Sequence, residues 1–263
     1  MHIDGRADRW LTRNRPLLEL ANYHILGRIL YYVPYHSPLH PGRVLSTFAF
    51  LSGLVEGLNG WGASYSANQA LSESQQNIGH ALMKTALLLQ LFVAVSFIIL
   101  AVFFHVRCRR AGIKNQRLEG PLLTLYISTA IITVRTIYRT VEYFGVANLR
   151  YGPGFDVHTI SPVVRYEWFF YVFEASLMLI NCIMFNVRHP RRWLPQNNKI
   201  YLAQDGATEI EGPGWTDKRP FLVTLIDPFN IGGMLSGKRS SSDKFWENNG
   251  FDRSKPSVSS GAV

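Results

Sequence analysis

The stretch that decides the fold is Ala81–Val106, ALMKTALLLQLFVAVSFIILAVFFHV, whose only Asp, Glu, Lys or Arg is Lys84. A helix needs about 20 mostly apolar residues to cross the hydrocarbon core of a bilayer, so this stretch predicts a membrane-spanning helix. Four further stretches qualify, with more polar residues in each: 16–33, 44–62, 121–141 and 166–187. The sequence therefore predicts an all-α fold class, a polytopic transmembrane bundle of five helices within residues 16–195.

The regions outside the bundle are polar. Residues 1–15 form a short basic segment, and residues 196–263 are rich in Gly, Ser, Asp and Lys, which predicts a largely disordered tail. Charged residues make up only 17% of the chain, against roughly 25% in soluble domains. The net charge of +9 comes from basic residues that cluster at the ends of apolar segments, which favours cationic loops over a nucleic-acid-binding surface.

The basic loops predict the orientation of the helices, because short cytoplasmic loops carry an excess of Lys and Arg. Such clusters follow the third and the fifth predicted helix: Arg107, Arg109, Arg110, Lys114 and Arg117, then Arg188, Arg191, Arg192 and Lys199. The C-terminus is then cytoplasmic and the N-terminus lies outside. The arginines of residues 1–15 conflict with this scheme, so either the first segment does not span or the chain lacks an upstream part.

Several charged and polar residues fall inside the predicted helices, where an ionised side chain is expensive. In the fourth helix, Arg135, Arg139 and Glu142 follow a spacing of i, i+4, i+7. In the fifth helix, Glu167, Glu174 and Asn181 recur every seven residues, so each set shares one face of its helix. Two interpretations are compatible: interhelical ion pairs, such as Arg135 or Arg139 with Glu174, or a polar cavity for the head of an amphiphile or a proton-coupled carboxylate. The candidate residues are Arg135, Arg139, Glu142, Glu174, Glu56, Lys84, Glu167 and Asn181.

Other features narrow the function. Nucleotide-binding, metal-binding and hydrolase motifs are absent from the sequence, so we predict neither an enzyme nor a cofactor. The two cysteines, Cys108 and Cys182, occupy a basic loop and an apolar run, which argues against a disulfide. Ala49, Gly53 and Gly57 form a stripe of small residues that fits either packing within the bundle or a dimer face, so the oligomeric state stays open.

The segment RTIYRTVEYFG, Arg135–Gly145, resembles the signature of the fungal lipid-translocating exporters, also called the aminocholesterol-resistance-like or RTA-like family. RPLLELANYHILGRILYYVP, GHALMKTALLLQLF and EWFFYVFEASLMLINCIMFNVRHPRRWLP resemble family segments in the same order. The resemblance runs from about Pro16 to Pro195. Members generally have seven helices, and the first predicted helix here aligns with their third. A truncated gene model or a degenerate copy would explain the two missing N-terminal helices.

The resemblance implies a multi-pass fungal membrane protein linked to drug resistance, which translocates lipids or cationic amphiphiles, such as sphingoid bases and sterol-like amines, without ATP hydrolysis. Its partners would be membrane lipids or amphiphilic small molecules, and its location the plasma membrane, with an internal membrane as the alternative. Better-known members have an Asp at the position of Ser52 and a Gln at that of Asn59, so Glu56 would take over the acidic role. The alternatives are a heptahelical-like receptor or stress sensor, or a truncated, non-transporting membrane protein.

Overall fold

The computed structural model describes residues 15–37, 40–68, 70–147, 165–195, 197–203 and 206–212. These residues are mostly helical, and they form five long helices. The helices are α1 (Arg15–Tyr32), α2 (Pro41–Ala67), α3 (Glu73–Arg110), α4 (Gln116–Ala147) and α5, a continuous run of the segments Trp168–Phe170, Tyr171–Ser176 and Leu177–Val187. Two short 3-10 turns, Pro34–His36 and Pro190–Arg192, follow α1 and α5. The all-α class with five helices is confirmed.

Three of the helices are long and apolar enough to cross a membrane by length and composition: Glu73–Arg110, Gln116–Gly145 and Trp168–Arg192. Helix α3 has 38 residues, which at 1.5 Å per residue is about 57 Å, well beyond a hydrocarbon core of roughly 30 Å. The helix therefore continues at both ends, through polar residues, beyond the apolar stretch 81–106 from which it was predicted. For the same reason α4 extends beyond the predicted range 121–141 at both ends.

The spanning helices expose apolar side chains along one face. On α3 these side chains recur every three or four residues, as a face along one side of a helix requires. They are Leu88, Phe92, Val95, Ile99, Val102 and Val106, each at least 40% exposed. An exposed apolar stripe on a helix of this length is the surface that contacts lipid.

Helix α5 changes its winding in the middle. The segment Tyr171–Ser176 is π-helical and lies between two α-helical segments. Ser176 Oγ donates a 2.8 Å hydrogen bond to the carbonyl of Tyr171, five residues earlier, which fits the wider turn. The π-helical segment contains Glu174, one of the sequence candidates, and such insertions are frequent at functional sites.

The chain divides into two compact units, which we call the cavity unit and the hairpin unit. The cavity unit comprises the described residues up to Glu19, Leu51–Ile98 and the described part of Tyr126–Val187. The hairpin unit comprises the described residues of Leu20–Phe50, Ile99–Leu125 and those from Arg188 onward. Each of α1 to α4 contributes one part to each unit, whereas α5 belongs to the cavity unit.

The hairpin unit ends in a small antiparallel hairpin, β1 (Ile200–Leu202) and β2 (Glu209–Glu211), in which Tyr201 pairs with Ile210. Gly206 takes the positive φ of +74° in the connection between the strands. The sequence predicted a largely disordered tail over residues 196–263 and did not identify this hairpin, because strands of three residues carry too little pattern to be recognised. The remainder of the predicted tail, from residue 213, lies outside the described residues, as do residues 1–14 of the N-terminal segment.

Buried side chains and polar contacts hold the hairpin in place, as a two-stranded hairpin requires, since it is marginal in isolation. Tyr201, Leu202 and Ile210 are at most 1% exposed. Glu209 accepts hydrogen bonds from Tyr32 Oη at 2.9 Å and from Arg117 at 2.5 Å. Further anchors join Asn115 to the carbonyl of Gly206, and the Arg28 guanidinium to Asn198 and the carbonyl of Pro195.

Candidate functional site

A cavity of about 420 Å³ lies within the cavity unit, between α2, α3 and α4. Its volume falls within the range of small-molecule sites. Six of its lining residues carry a charged or carboxamide group, and the others are mainly small or apolar. The lining residues are Glu56, Asn59, Gly60, Ala63, Met83, Leu87, Gln90, Arg135, Thr136, Arg139, Glu142 and Tyr143.

The accessible charges of the cavity belong to Arg139 and Glu142, one turn apart on α4. Arg139 Nη1 donates to Glu142 Oε2 at 3.1 Å, and the two side chains are 34% and 24% exposed. Because both side chains keep accessible surface, each can interact with a ligand as well as with the other. An incoming ion can therefore exchange with the partner of either group.

The second ion pair of the site is buried. Arg135 Nη2 donates to Glu174 Oε1 at 2.5 Å, and the two side chains are 4% and 2% exposed. The sequence left two possible partners for Glu174, and the structure selects Arg135. This bond joins α4 to the π-helical segment of α5. Arg135 also lines the cavity, and its Nε has no hydrogen-bond partner among the described residues.

A carboxylate that the site prediction omitted lies behind the cavity wall. Glu19 of α1 accepts hydrogen bonds from Gln90 at 2.8 Å and from Ser52 at 3.0 Å, one on each oxygen. Gln90 itself lines the cavity. The available signal was the charge of Glu19 inside the first predicted helix, but only the packing shows which helix it faces. At Ser52, where better-known members were expected to have Asp, the neighbouring carboxylate is Glu19.

The structure places the other candidates differently from one another. Glu56 lines the cavity, whereas Lys84 lies with Nζ 5.4 Å from the centre of the Phe144 ring and does not line it. Glu167 is exposed and directly precedes α5. Asn181 is fully buried in α5, and its side-chain polar atoms have no hydrogen-bond partner in the part of the chain that the structure describes.

Two close contacts fix the helices around the cavity. A Cβ atom on Gly62 of α2 would lie 2.6 Å from Met83 Cγ, and one on Gly79 of α3 would lie 2.7 Å from the backbone nitrogen of Ser66. These distances require glycine at both positions, because real Cβ contacts are longer. His80 of α3 and Tyr143 of α4 share a 2.9 Å hydrogen bond. Helix α3 is thus tied to both of its neighbours.

Among the described residues, the carboxylates that line the cavity or bind a lining residue outnumber the guanidinium groups that do so. Four carboxylates line it or bind a lining residue: Glu19, Glu56, Glu142 and Glu174. Two guanidinium groups oppose them, Arg135 and Arg139. With every group ionised the balance is four against two, a net charge of −2. A cavity with this balance favours a cationic ligand over an anionic one.

Comparison with known proteins identifies relatives over most of the chain. Residues 12–197 match the family described as RTA1 like protein. A lipid-translocating exporter-like protein RTA1 of Leptosphaeria maculans is 45% identical over 226 residues, which cover 82% of this chain and 42% of that protein. A protein of the same name from Ajellomyces capsulatus is 32% identical over 229 residues, covering 82% of this chain and 68% of that protein.

The chain thus spans less than half of the Leptosphaeria relative and about two thirds of the Ajellomyces relative. Both relatives are named as exporter-like proteins rather than as enzymes. No solved structure matches the chain.

Proposed function

Because this chain belongs to the RTA1-like protein family, we propose that it translocates lipids or cationic amphiphiles, such as sphingoid bases and sterol-like amines, without ATP hydrolysis. The observation that carries this proposal is the charge balance of the cavity, four carboxylates against two guanidinium groups. A protonated amine that leaves water needs a carboxylate to compensate its charge, since burial of an unpaired ion is costly.

The two ion pairs would have different roles in this mechanism. Glu142 is partly accessible, so the amine can replace Arg139 as its partner, and the guanidinium of Arg139, which is 34% exposed, is then solvated by water. Glu174 is held by Arg135 inside the protein and would fix α5 against α4 instead of meeting the ligand. Glu56, on the opposite wall, supplies a second carboxylate that the amine can reach from within the cavity.

The test uses the full chain reconstituted in lipid vesicles and two labelled probes of equal chain length, a long-chain primary amine and the corresponding alcohol. We expect Glu142→Gln and Glu56→Gln to slow the transbilayer movement of the amine by about tenfold, which corresponds to about 1.4 kcal/mol. Movement of the alcohol should change little, because it carries no charge.

Glu167→Gln is the matched control, since Glu167 is exposed and does not line the cavity. It removes the same charge from the same side of the predicted topology and should leave both probes unaffected. Unchanged movement of the amine in Glu142→Gln and Glu56→Gln, at normal protein level, would contradict the proposal.

We further propose that the C-terminus is cytoplasmic, the N-terminus outside, and the membrane the plasma membrane. The basic residues at the turn between α3 and α4 and after α5 support this orientation. A protease-cleavable tag at the C-terminus should be protected in intact cells and cleaved after permeabilisation. Cleavage in intact cells would reverse the orientation.

A further inference from the structure

We propose that the ligand of the cavity is a membrane-embedded amphiphile whose head occupies the cavity while its hydrocarbon chain passes out beside Gly60 and Ala63 into the bilayer. This inference rests on the proposed function and adds the shape and the entry route of the substrate. It distinguishes lipid-like amines from water-soluble amines of the same charge.

The first observation is that the cavity reaches the protein surface at α2. Gly60 and Ala63 line the cavity, and both are also exposed. A Cβ atom on Gly60 would meet no atom of the described residues within 4 Å, its two chain neighbours and the nearby backbone of its own helix aside. The wall of the cavity is therefore interrupted where these two small residues lie.

The second observation is that described contacts join the helices on two other sides of the cavity. Gly62 brings α2 against Met83 of α3, and the hydrogen bond between His80 and Tyr143 joins α3 to α4. The gap beside Gly60 is accordingly the edge through which a chain can pass.

The third observation is the chemistry of the surface around the gap. Trp61, which follows Gly60 in the chain, is 69% exposed. Exposed aromatic residues also gather at this end of the cavity unit, with Trp61 and Tyr65 on α2 and Trp168 and Tyr171 on α5. Trp and Tyr favour the height of lipid headgroups. The gap beside Trp61 thus lies close to the headgroups, and the chain of a bound amphiphile would extend from there into the leaflet.

The fourth observation is the size of the cavity. A sphere of 420 Å³ is about 9 Å across, whereas a chain that spans one leaflet is roughly 15 Å long, half of the hydrocarbon core. The cavity holds a head group and leaves the chain outside. A ligand with a long chain needs the gap to remain open when it is bound.

The test fills the gap. Gly60→Leu and Ala63→Leu are compared with Gly53→Leu and Gly57→Leu, which lie on the same helix, are exposed, meet nothing within 4 Å and do not line the cavity. We expect the two gap variants to slow the movement of the long-chain amine by at least about fivefold, because the added side chain competes for the same space. The two control variants should stay within about twofold of the unmodified protein, the usual range for surface substitutions.

A second measurement reads occupancy without transport. In a Cys182→Ser background, Gly60→Cys and Gly53→Cys are labelled in vesicles with a lipid-soluble maleimide, in the presence and absence of the long-chain amine. The amine should slow labelling of Gly60→Cys and leave that of Gly53→Cys unchanged, and a short water-soluble amine should protect neither.

The outcomes separate the two proposals. If Gly60→Leu behaves like Gly53→Leu and the amine protects neither cysteine, while Glu142→Gln still stops movement, the entry route is wrong and the proposed function stands. If neither Gly60→Leu nor Glu142→Gln changes the movement, both proposals fail.

Discussion

The cavity unit and the hairpin unit share four helices but bury different kinds of side chains. The core of the hairpin unit is largely apolar, with Leu26, Leu30 and Leu202 among its fully buried residues, although Asn22 and Arg43 are buried there as well. In the cavity unit polar and charged residues such as Arg135, Glu174 and Asn181 make up a larger part of the buried residues, and many large apolar side chains are exposed. In a membrane protein, therefore, a buried side chain need not be apolar. Lipid solvates the apolar side chains at the surface, and the charged side chains face the interior of the bundle.

The ion pairs of the two units differ in the same way. Arg117 and Glu209 of the hairpin unit are 57% and 24% exposed, so water screens their attraction. Arg135 and Glu174 of the cavity unit are nearly inaccessible, so each depends on the other. Substitutions in the two units should therefore have effects of very different size.

The largest effect should come from removing one partner of the buried pair. Glu174→Leu leaves Arg135 buried without its carboxylate, which we expect to lower the free energy of unfolding by about 3–5 kcal/mol. Thermal or denaturant unfolding in detergent micelles measures this. The double variant Arg135→Leu/Glu174→Leu should recover most of the loss. If the double variant is no more stable than Glu174→Leu, the charge of Arg135 is not the cause.

A smaller loss should follow truncation in the apolar core of the hairpin unit. Leu202→Ala removes a side chain that is 0% exposed, and we expect a loss of about 3 kcal/mol, from the lost burial and the cavity that remains. Leu88→Ala in the cavity unit is the matched control, because Leu88 is 53% exposed toward lipid. If both variants lost the same free energy of unfolding, the apolar core of the hairpin unit would contribute no more to stability than the exposed apolar face of the cavity unit.

The contact between α2 and α3 should give an intermediate effect. A Cβ on Gly79 would lie 2.7 Å from the backbone nitrogen of Ser66, so Gly79→Ala must separate the helices, at a cost of about 1–3 kcal/mol. Gly57→Ala, where a Cβ meets nothing within 4 Å, should be neutral or stabilise α2 by up to about 1 kcal/mol. Comparison of the two melting temperatures is sufficient, and a stable Gly79→Ala variant would contradict the close contact.

The smallest effect should come from the exposed pair of the hairpin unit. Arg117→Gln removes the 2.5 Å contact with Glu209, yet we expect a change below about 1 kcal/mol that diminishes further at high salt. Arg110→Gln serves as the control for the loss of one exposed positive charge. A loss comparable with that of Glu174→Leu would show that the hairpin depends on this ion pair.

The fold class could be predicted from the sequence because spanning helices depend on local composition. About 20 apolar residues in succession determine a helix wherever they occur, so Ala81–Val106 is sufficient to place α3 in the bundle. The spacing of Arg139 and Glu142 likewise determines their pairing, since residues three apart share one face of a helix. The hairpin at 200–211 escaped prediction because its stability comes from contacts with residues distant in the chain, such as Tyr32 and Arg117.

The sequence by itself determined that this chain forms membrane helices with charges on particular faces, and that it belongs to the RTA1-like family. Only the tertiary structure decided that Glu174 pairs with Arg135 and that Glu19 lies behind Gln90. It also showed that a Cβ on Gly53 or Gly57 would meet no atom of another described element within 4 Å. The physical reason is that helical periodicity depends on neighbouring residues in the chain. Which face of a helix contacts which other helix depends on how all the helices pack together. The charge balance of the cavity is a property of that packing and of no single segment.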